Sequence, residues 1–307
     1  MKLILEFWGD RDDLPMAEFR GIMEGEGKDY RILNVDYPVG IVDAEDFSPM
    51  HRAGLLRRVS KHIYSGKEIP NLKMQLENYA IRVRGGGSEE IIPVLARGIK
   101  GRVNLKNPKN LVVVYRGEKL HVGLEIIHLE SENFESRRSK NLPISYPITM
   151  HPRLARFMVN LARVKKGDKI LDPFCGTGSI LIEAGLVGMK IYGSDIELRM
   201  IEAARTNLGK FGLHAELEIK DVGNINGHYD AIVTDPPYGR SSSTGGEEIY
   251  ELYSRAFESF SRVTNKVVIA LPDERAIKIG QRFFDLKELY PYRVHRSLTR
   301  YFAYFHA

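Results

Sequence analysis

The sequence is poor in the residues from which disulfide frameworks and zinc sites are built. Its 307 residues include a single cysteine, Cys175, and a single tryptophan. One cysteine excludes an intramolecular disulfide and a cysteine-rich zinc site, and we predict no bound metal. No apolar run reaches the roughly 20 residues of a membrane-spanning helix, and Glu6 interrupts the N-terminal apolar residues too early for a signal peptide. These absences predict a cytoplasmic protein with no membrane partner.

Charge is distributed unevenly along the chain. Residues 1–50 carry 5 Lys and Arg against 12 Asp and Glu, whereas residues 51–125 carry 15 against 6. A basic block of this kind is the electrostatic footprint expected for a phosphate backbone. A solvated basic surface would have the same composition. Charge alone therefore leaves both interpretations open.

The hydrophobic pattern changes at a charged, polar segment at residues 130–141. Before it, short strands and helices are mixed, as in an α+β region, and residues 51–64 have apolar side chains at helical spacing. After it, strands and helices alternate, which predicts a parallel sheet with helical crossovers. The last two predicted strands, at 286–294 and 297–305, form an antiparallel hairpin. We therefore expect an α/β, Rossmann-like sheet with a C-terminal hairpin, preceded by an α+β N-terminal region.

Acidic residues follow successive predicted strands of the second half. In a doubly wound sheet the ligand binds beyond the carboxyl ends of the strands. Gly176 and Gly178 follow the strand that ends at Asp172 and allow a close backbone approach to a ligand. Asp195 ends the next strand, where an acid can bind both hydroxyls of a ribose. Asp221 follows the third strand and is placed to meet an adenine amine, with Val222 packing on the ring.

A nicotinamide dinucleotide fits this pattern poorly. Cys175-Gly-Thr-Gly178 lacks the third glycine of the dinucleotide fingerprint, and the sequence has no phosphate-binding loop with Gly-Lys-Ser or Gly-Lys-Thr. The acids after three strands instead favour an adenosine cofactor of another kind.

Asp235-Pro236-Pro237-Tyr238 closes the strand predicted at 229–234 and carries the chemistry. An exocyclic base amine is a poor nucleophile because its lone pair is delocalised into the ring. The Asp235 carboxylate and the Pro236 carbonyl can accept its N–H groups, and the prolines hold both acceptors in place. Tyr238 can stack on an unpaired or flipped base.

Together with the cofactor pattern, this motif predicts an S-adenosylmethionine-dependent methyltransferase acting on a base nitrogen. Methylation of pyrimidine carbon five is disfavoured, because it needs a cysteine nucleophile at the base and Cys175 lies in the cofactor loop. The polar, glycine-rich residues 239–246 that follow predict either a lid over the substrate or an ordinary loop.

Four segments resemble the archaeal and eukaryotic tRNA guanosine N2-methyltransferases, which modify the guanosine at position ten of tRNA. These segments are residues 147–156, 160–163, 172–178 and 235–240. Residues 78–84 and 90–97 are similar to a THUMP domain that follows a ferredoxin-like segment. The resemblance implies a ferredoxin-like segment at 1–50, a THUMP RNA-binding domain at 51–130, a linker at 131–147 and a methyltransferase domain at 148–307.

The resemblance also implies a substrate, a cofactor and a set of site residues. The substrate would be tRNA, methylated once and then twice at N2 of the guanosine, and the catalytic residues would be Asp235, Pro236, Pro237 and Tyr238. The implied S-adenosylmethionine site comprises Asp172, Pro173, Phe174, Cys175, Gly176, Thr177, Gly178, Asp195 and His151. The strand pattern described above adds Ile196, next to Asp195, and Asp221 with Val222 to the predicted cofactor residues. RNA would be contacted by Arg82, Arg84, Arg97, Lys100 and Arg102.

Three other functions stay open on the sequence. An N2-guanine methyltransferase of ribosomal RNA, or of another tRNA site, would share the same catalytic residues. An adenine-N6 DNA methyltransferase also uses Asp-Pro-Pro-Tyr, but the large target-recognition segment of such enzymes is absent here. A non-catalytic RNA-binding adaptor would have no need of the acids at 172, 195, 221 and 235. The sequence leaves open the oligomeric state, the number of methyl groups and any activating partner.

Overall fold

The computed structural model describes residues 1–129, 131–146, 149–238, 248–295 and 298–307. The chain forms two units, one of residues 1–19 with 27–131 and one of residues 20–26 with 132–307. The segment at 239–246 for which a lid was one prediction lies outside the described residues. Within the described residues, no helix is long and apolar enough to cross a membrane.

The first unit is built on one eight-stranded sheet with the order β2-β3-β1-β4-β8-β7-β5-β6. Its strands are β1 (Lys2–Phe7), β2 (Tyr30–Asp36), β3 (Val39–Ala44), β4 (Leu56–Gly66), β5 (Met74–Arg84), β6 (Ile99–Val103), β7 (Asn110–Arg116) and β8 (Leu120–His128). Helix α1 (Asp13–Gly25) begins in this unit, and α2 (Ser88–Gly98) packs on the sheet through the buried Ile91 and Leu95. Strands β1 and β4 pair directly, so the sheet runs across the predicted boundary at residue 50. The division into a ferredoxin-like segment and a THUMP domain stays a prediction.

The helical spacing at residues 51–64 was misleading. The structure has a short 3-10 turn at Ser48–Arg52 and then the long strand β4. Arg58 and Ser60 are buried in this strand, which obscures the alternation that would mark a strand. Arg58 is accommodated because its Nε lies 3.0 Å from a Glu6 oxygen and 3.3 Å from a Glu125 oxygen on the neighbouring strands. The prediction also missed β3 and β6.

The second unit is the predicted Rossmann-like sheet, with the strand order β11-β10-β9-β12-β13-β15-β14. Its strands are β9 (Lys169–Asp172), β10 (Lys190–Asp195), β11 (Ala215–Ile219), β12 (Ala231–Thr234), β13 (Lys266–Leu271), β14 (Asp285–His295) and β15 (Leu298–His306). The first five strands are parallel, and β14 and β15 form the expected antiparallel hairpin. The order reverses between β9 and β12, and a sheet of this type binds its ligand at such a reversal.

Among the described residues, six further α-helices lie wholly or mainly in the second unit. They are α3 (Ser131–Glu135), α4 (Pro152–Leu161), α5 (Ser179–Leu186), α6 (Leu198–Lys210), α7 (Ile249–Val263) and α8 (Glu274–Gly280). Helix α7 has an apolar stripe that buries Tyr253, Phe257 and Phe260 against β13 and β15. The predicted acids project from the carboxyl ends of the neighbouring strands β9, β10 and β12.

Candidate active site

The turn after β9 is shaped by glycine. The Cys175 N–H donates to the Ser194 carbonyl at 3.0 Å, which ties the turn to β10. Gly176 has φ +49°, a left-handed conformation that L side chains rarely adopt, and a Cβ there would meet open space. Gly178 has φ +85° and directly precedes α5, and a Cβ there would lie 3.3 Å from the Ala204 Cβ. Gly176 therefore leaves room on the cavity side, whereas Gly178 allows close helix packing.

Asp195 and Asp172 are held by hydrogen bonds at the ends of neighbouring strands. The Gly176 and Glu197 N–H groups each donate to one oxygen of Asp195 at 3.0 Å. Burial raises the pKa of Asp195, and these backbone donors partly offset the rise. The Thr234 hydroxyl donates to Asp172 at 2.6 Å. Burial raises the pKa of Asp172 to about 7, and the nearby Asp235 and Asp195 charges add to the rise.

Asp221 differs from Asp172 and Asp195 because it has a cationic partner. It accepts from the Gly223 N–H at 2.8 Å and forms an ion pair with Arg255 of α7. Burial favours the neutral acid, but Arg255 and the Gly223 N–H outweigh it and hold the pKa of Asp221 below its ordinary value. Val222 is buried beside it. An ionised acceptor next to an apolar wall is the arrangement expected for an adenine amine and ring.

Asp235 lies between a phenol and a guanidinium. The Tyr238 hydroxyl donates to Asp235 Oδ1, and Arg300 Nη2 lies 3.2 Å from Asp235 Oδ2. Burial raises the pKa of Asp235, while Arg300 and the Tyr238 hydroxyl favour the carboxylate. Burial and the Asp235 charge raise the pKa of Tyr238 well above its ordinary value, so Tyr238 stays a hydrogen-bond donor.

The Asp-Pro-Pro-Tyr segment is held in place by a hydrogen bond from a tyrosine of α7. The Tyr253 hydroxyl donates to the Pro237 carbonyl at 2.7 Å, and the Tyr253 side chain is fully buried. The Pro236 carbonyl, which the sequence assigned to the base amine, is a different group. Tyr253 therefore positions the segment without using that acceptor.

These residues line one cavity of about 330 Å³. Every predicted catalytic residue lines it, as do all but two of the predicted cofactor residues. The exceptions are Gly178, which directly precedes α5, and His151, whose Nδ1 caps α4 by accepting from the Arg153 N–H at 3.2 Å. The lining also includes residues that were not predicted, among them Tyr146, Thr149, Glu197, Arg199, Met200, Lys220, Leu252, Arg255 and Arg300.

Family comparisons agree with this architecture. The model of the RMKL-like methyltransferase domain matches residues 141–301, and a DNA methylase model matches residues 70–206, ending before Asp235. The tRNA (guanine(10)-N2)-dimethyltransferase of Methanothermobacter thermautotrophicus is 32% identical, over 98% of each chain. The chain belongs to the tRNA (guanine(10)-N2)-dimethyltransferase family.

Other members and structures extend the comparison. The Pyrococcus abyssi enzyme of this family is 35% identical, over 94% of this chain and 83% of its own length. The crystal structure of TrmN from Thermus thermophilus is similar over the full length of both chains, with a TM-score of 0.54 and 18% identity. At that identity the likeness shows the fold, and it matches the Rossmann-like sheet described above.

In the first unit of this family member, the five basic residues predicted to contact RNA are all exposed. Lys100 and Arg102 lie on β6, at one end of the sheet order, and Arg97 precedes them on α2. Arg82 donates to the Leu105 carbonyl at 2.8 Å, and Arg84 lies 3.7 Å from Glu6. Exposure is what RNA contact requires, and the assignment stays a prediction.

Proposed function

We propose that this protein transfers methyl groups from S-adenosylmethionine to N2 of a guanosine in tRNA, at position ten, once and then a second time. The observation that carries the proposal is the single cavity that brings Asp235 and Tyr238 together with Asp172, Asp195 and Asp221. The names of the relatives support the choice of tRNA and of position ten. A cytoplasmic location accords with a tRNA substrate.

The residues of the cavity suit S-adenosylmethionine. Asp195 keeps lone pairs free beyond the two backbone donors and can accept from both ribose hydroxyls. Asp221 and Val222 offer an acceptor and an apolar wall for adenine. Asp172 lines the same cavity, where a carboxylate can hold a positively charged group of the cofactor. With these acceptors assigned to the cofactor, Asp235 is left for the base.

The protein's part in the reaction is to hold and polarise the base amine. When bound, the cofactor supplies a sulfonium methyl whose carbon–sulfur bond breaks as the nitrogen lone pair forms the new carbon–nitrogen bond, the electrons returning to sulfur. Asp235 and the Pro236 carbonyl accept the two N–H groups, so the lone pair points at the methyl. Asp235 then accepts the proton that the product nitrogen loses and passes it to water.

The test is methyl transfer from labelled S-adenosylmethionine to an unmodified tRNA transcript, followed by nucleoside analysis. We expect label in N2-methylguanosine and N2,N2-dimethylguanosine, and a transcript with adenosine at position ten should stay unlabelled. Label found only in ribosomal RNA or in adenine of DNA would contradict the choice of substrate. Binding of tRNA without any transfer would favour the adaptor function.

Cofactor affinity should depend on pH through Asp172. The pKa of this acid is about 7 in the folded protein, and a cationic cofactor binds best to the ionised form. We therefore expect the dissociation constant of S-adenosylmethionine to fall by up to about tenfold between about pH 6 and pH 8. Isothermal titration calorimetry on Asp172→Asn should show a much flatter profile. An equally steep profile in the variant would assign the titration to another group.

The same raised pKa should affect stability with a defined sign. The Asp172 carboxyl ionises near its ordinary value of 3.8 when unfolded and near 7 when folded. Below both pKa values the carboxyl is protonated in the folded and the unfolded state, so it makes no pH-dependent contribution to stability. Between them only the unfolded state is ionised, so its contribution to stability falls as pH rises and is constant above about pH 7. Thermal unfolding of the wild type and Asp172→Asn across this range checks the sign.

Charge reversal on β6 should weaken tRNA binding. Lys100→Glu with Arg102→Glu removes two exposed cations from the basic block. We expect at least about a tenfold loss of affinity and a salt dependence shallower by roughly 2 in the log–log slope. The control is Lys278→Glu with Arg282→Glu, the same charge change at exposed positions in and just after α8. Equal losses in both double variants would indicate a net-charge effect instead of a contact.

A further inference from the structure

Arg300 is a buried cation in the wall of the active-site cavity. It lies on β15, 7% exposed, on the same strand face as the buried Phe302 and Tyr304. Its guanidinium is 5.6 Å from the centre of the Tyr238 ring and, as described above, pairs with Asp235 Oδ2. Among the described residues, its Nε has no hydrogen-bond partner. A buried donor without a partner is costly, and at a binding site it indicates a group that the ligand completes.

The order of groups along Asp235 is fixed by its two partners. The Tyr238 hydroxyl is on the Oδ1 side, and Arg300 is on the Oδ2 side. From the Tyr238 side to the Arg300 side, the protein therefore presents two acceptors, Asp235 Oδ1 and Oδ2, and then one donor, the Arg300 guanidinium. Each carboxylate oxygen has two lone pairs, so both can accept from a base while they keep their present partners.

The Watson–Crick edge of guanine has the complementary order. It offers the N2–H donor, the N1–H donor and the O6 acceptor. We propose that Asp235 and Arg300 together recognise guanine, the carboxylate accepting from N2–H and N1–H and the guanidinium donating to O6. Asp235 and Arg300 thus present two acceptors and a donor in the same order as cytosine does when it pairs with guanine. The inference rests on the proposed function and adds to it the group that selects the base.

The same edge rejects the other bases that carry an exocyclic amine. Beside the amine of adenine or cytosine lies a ring nitrogen with a lone pair, which an ionised carboxylate repels. Adenine in addition has C2–H, which is not an acceptor, where Arg300 donates, whereas cytosine has its O2 there and is rejected at the ring nitrogen. Sites built to hydrogen-bond a polar group discriminate strongly, because a wrong ligand leaves their buried groups unpaired. Arg300 is thus a specificity residue, in addition to favouring the ionised form of Asp235.

The experiment compares transcripts that differ in one base at position ten. With the wild type, 6-thioguanosine keeps N2–H and N1–H but weakens the acceptor at carbon six, and we expect kcat/KM to fall roughly tenfold relative to guanosine. For 2,6-diaminopurine, which keeps the N2 amine but lacks N1–H and O6, we expect a fall of at least about a hundredfold. Both comparisons use the wild-type protein.

The variants then separate recognition from stability. Arg300→Met should react more slowly with every substrate, but its ratio of guanosine to 6-thioguanosine should approach one. Tyr253→Phe, which loosens the segment from behind, should be slower and keep the wild-type ratio. Cofactor binding shows that each variant is folded.

Two results would overturn the assignment alone. One is a wild type that methylates 2,6-diaminopurine as fast as guanosine, and the other is an Arg300→Met variant that keeps the wild-type ratio. A wild type that methylates no guanosine would overturn the proposed function, and this inference with it. The three outcomes are therefore distinguishable.

Discussion

Asp235→Ala should lower the rate of methyl transfer by roughly 10²–10³ or more while leaving the affinity for S-adenosylmethionine close to the wild-type value. The variant removes the carboxylate that accepts from the base amine. It leaves Asp172, Asp195 and Asp221 in place at the ends of three other strands. The loss should therefore appear in turnover, and isothermal titration with the cofactor should hardly change.

Two further variants make this prediction specific. Asp235→Asn keeps an acceptor oxygen but loses the charge that Arg300 faces, so we expect a rate between those of alanine and the wild type. Asp230→Ala changes the same residue type just before the other end of β12, where the side chain is exposed and accepts from the Lys169 N–H at 2.7 Å. It should retain nearly full activity. An Asp235→Ala variant as active as Asp230→Ala would assign the catalytic acceptor to another residue.

The second half of the fold was predictable because its signals are local. Strands β9, β12 and β13 each contain a short apolar run bounded by polar residues. A parallel sheet places all carboxyl ends on one edge. The strand-end acids Asp172, Asp195 and Asp235 therefore had to meet, and each could be identified from sequence position alone.

Arg300 and Tyr253 were missed because their roles depend on contacts distant in sequence. Arg300 meets Asp235 only because β15 runs in the same sheet as β12, separated from it by β13. One signal was present: Arg300, Phe302 and Tyr304 are spaced two residues apart and so share one face of a strand, and that face is buried. A cation at an inward position needs a partner, and Asp235 is that partner. Tyr253 gave no such signal, because a tyrosine on an apolar helix stripe is ordinary core composition.

The residues before residue 130 were harder to predict for a related reason. Arg58 is buried near the beginning of β4, where it pairs with two acids on β1 and β8, and neither partner is near it in sequence. Propensity and periodicity average over neighbours in the chain, so a strand stabilised by distant ion pairs appears helical or irregular.

A cluster of arginines surrounds a buried glutamate of α5, the helix that follows the cofactor turn. Glu183 of α5 is 1% exposed, and it lies 2.6 Å from Arg137 Nε and 2.7 Å from Arg156 Nη2. The guanidiniums of Arg137, Arg153 and Arg156 lie 4.5, 4.3 and 5.6 Å from the centre of the Phe134 ring. One carboxylate thus faces several cations where water is scarce. Helix α5 begins directly after Gly178, so this cluster fixes the helix on which the cofactor turn ends.

Glu183→Gln should therefore lower the free energy of unfolding of the second unit by about 3–5 kcal/mol, because it leaves buried guanidiniums without their counter-charge. Glu258→Gln is the matched control, since Glu258 is 62% exposed and pairs only with the half-exposed Arg262 among the described contacts; there we expect less than about 0.5 kcal/mol. Urea unfolding followed by circular dichroism and by cofactor binding measures both. Binding should be lost at lower urea in Glu183→Gln, since α5 and the turn at Gly176 are continuous in the chain. Equal urea midpoints for the two variants would mean that contacts with the Phe134 ring and with water, instead of Glu183, stabilise the buried arginines.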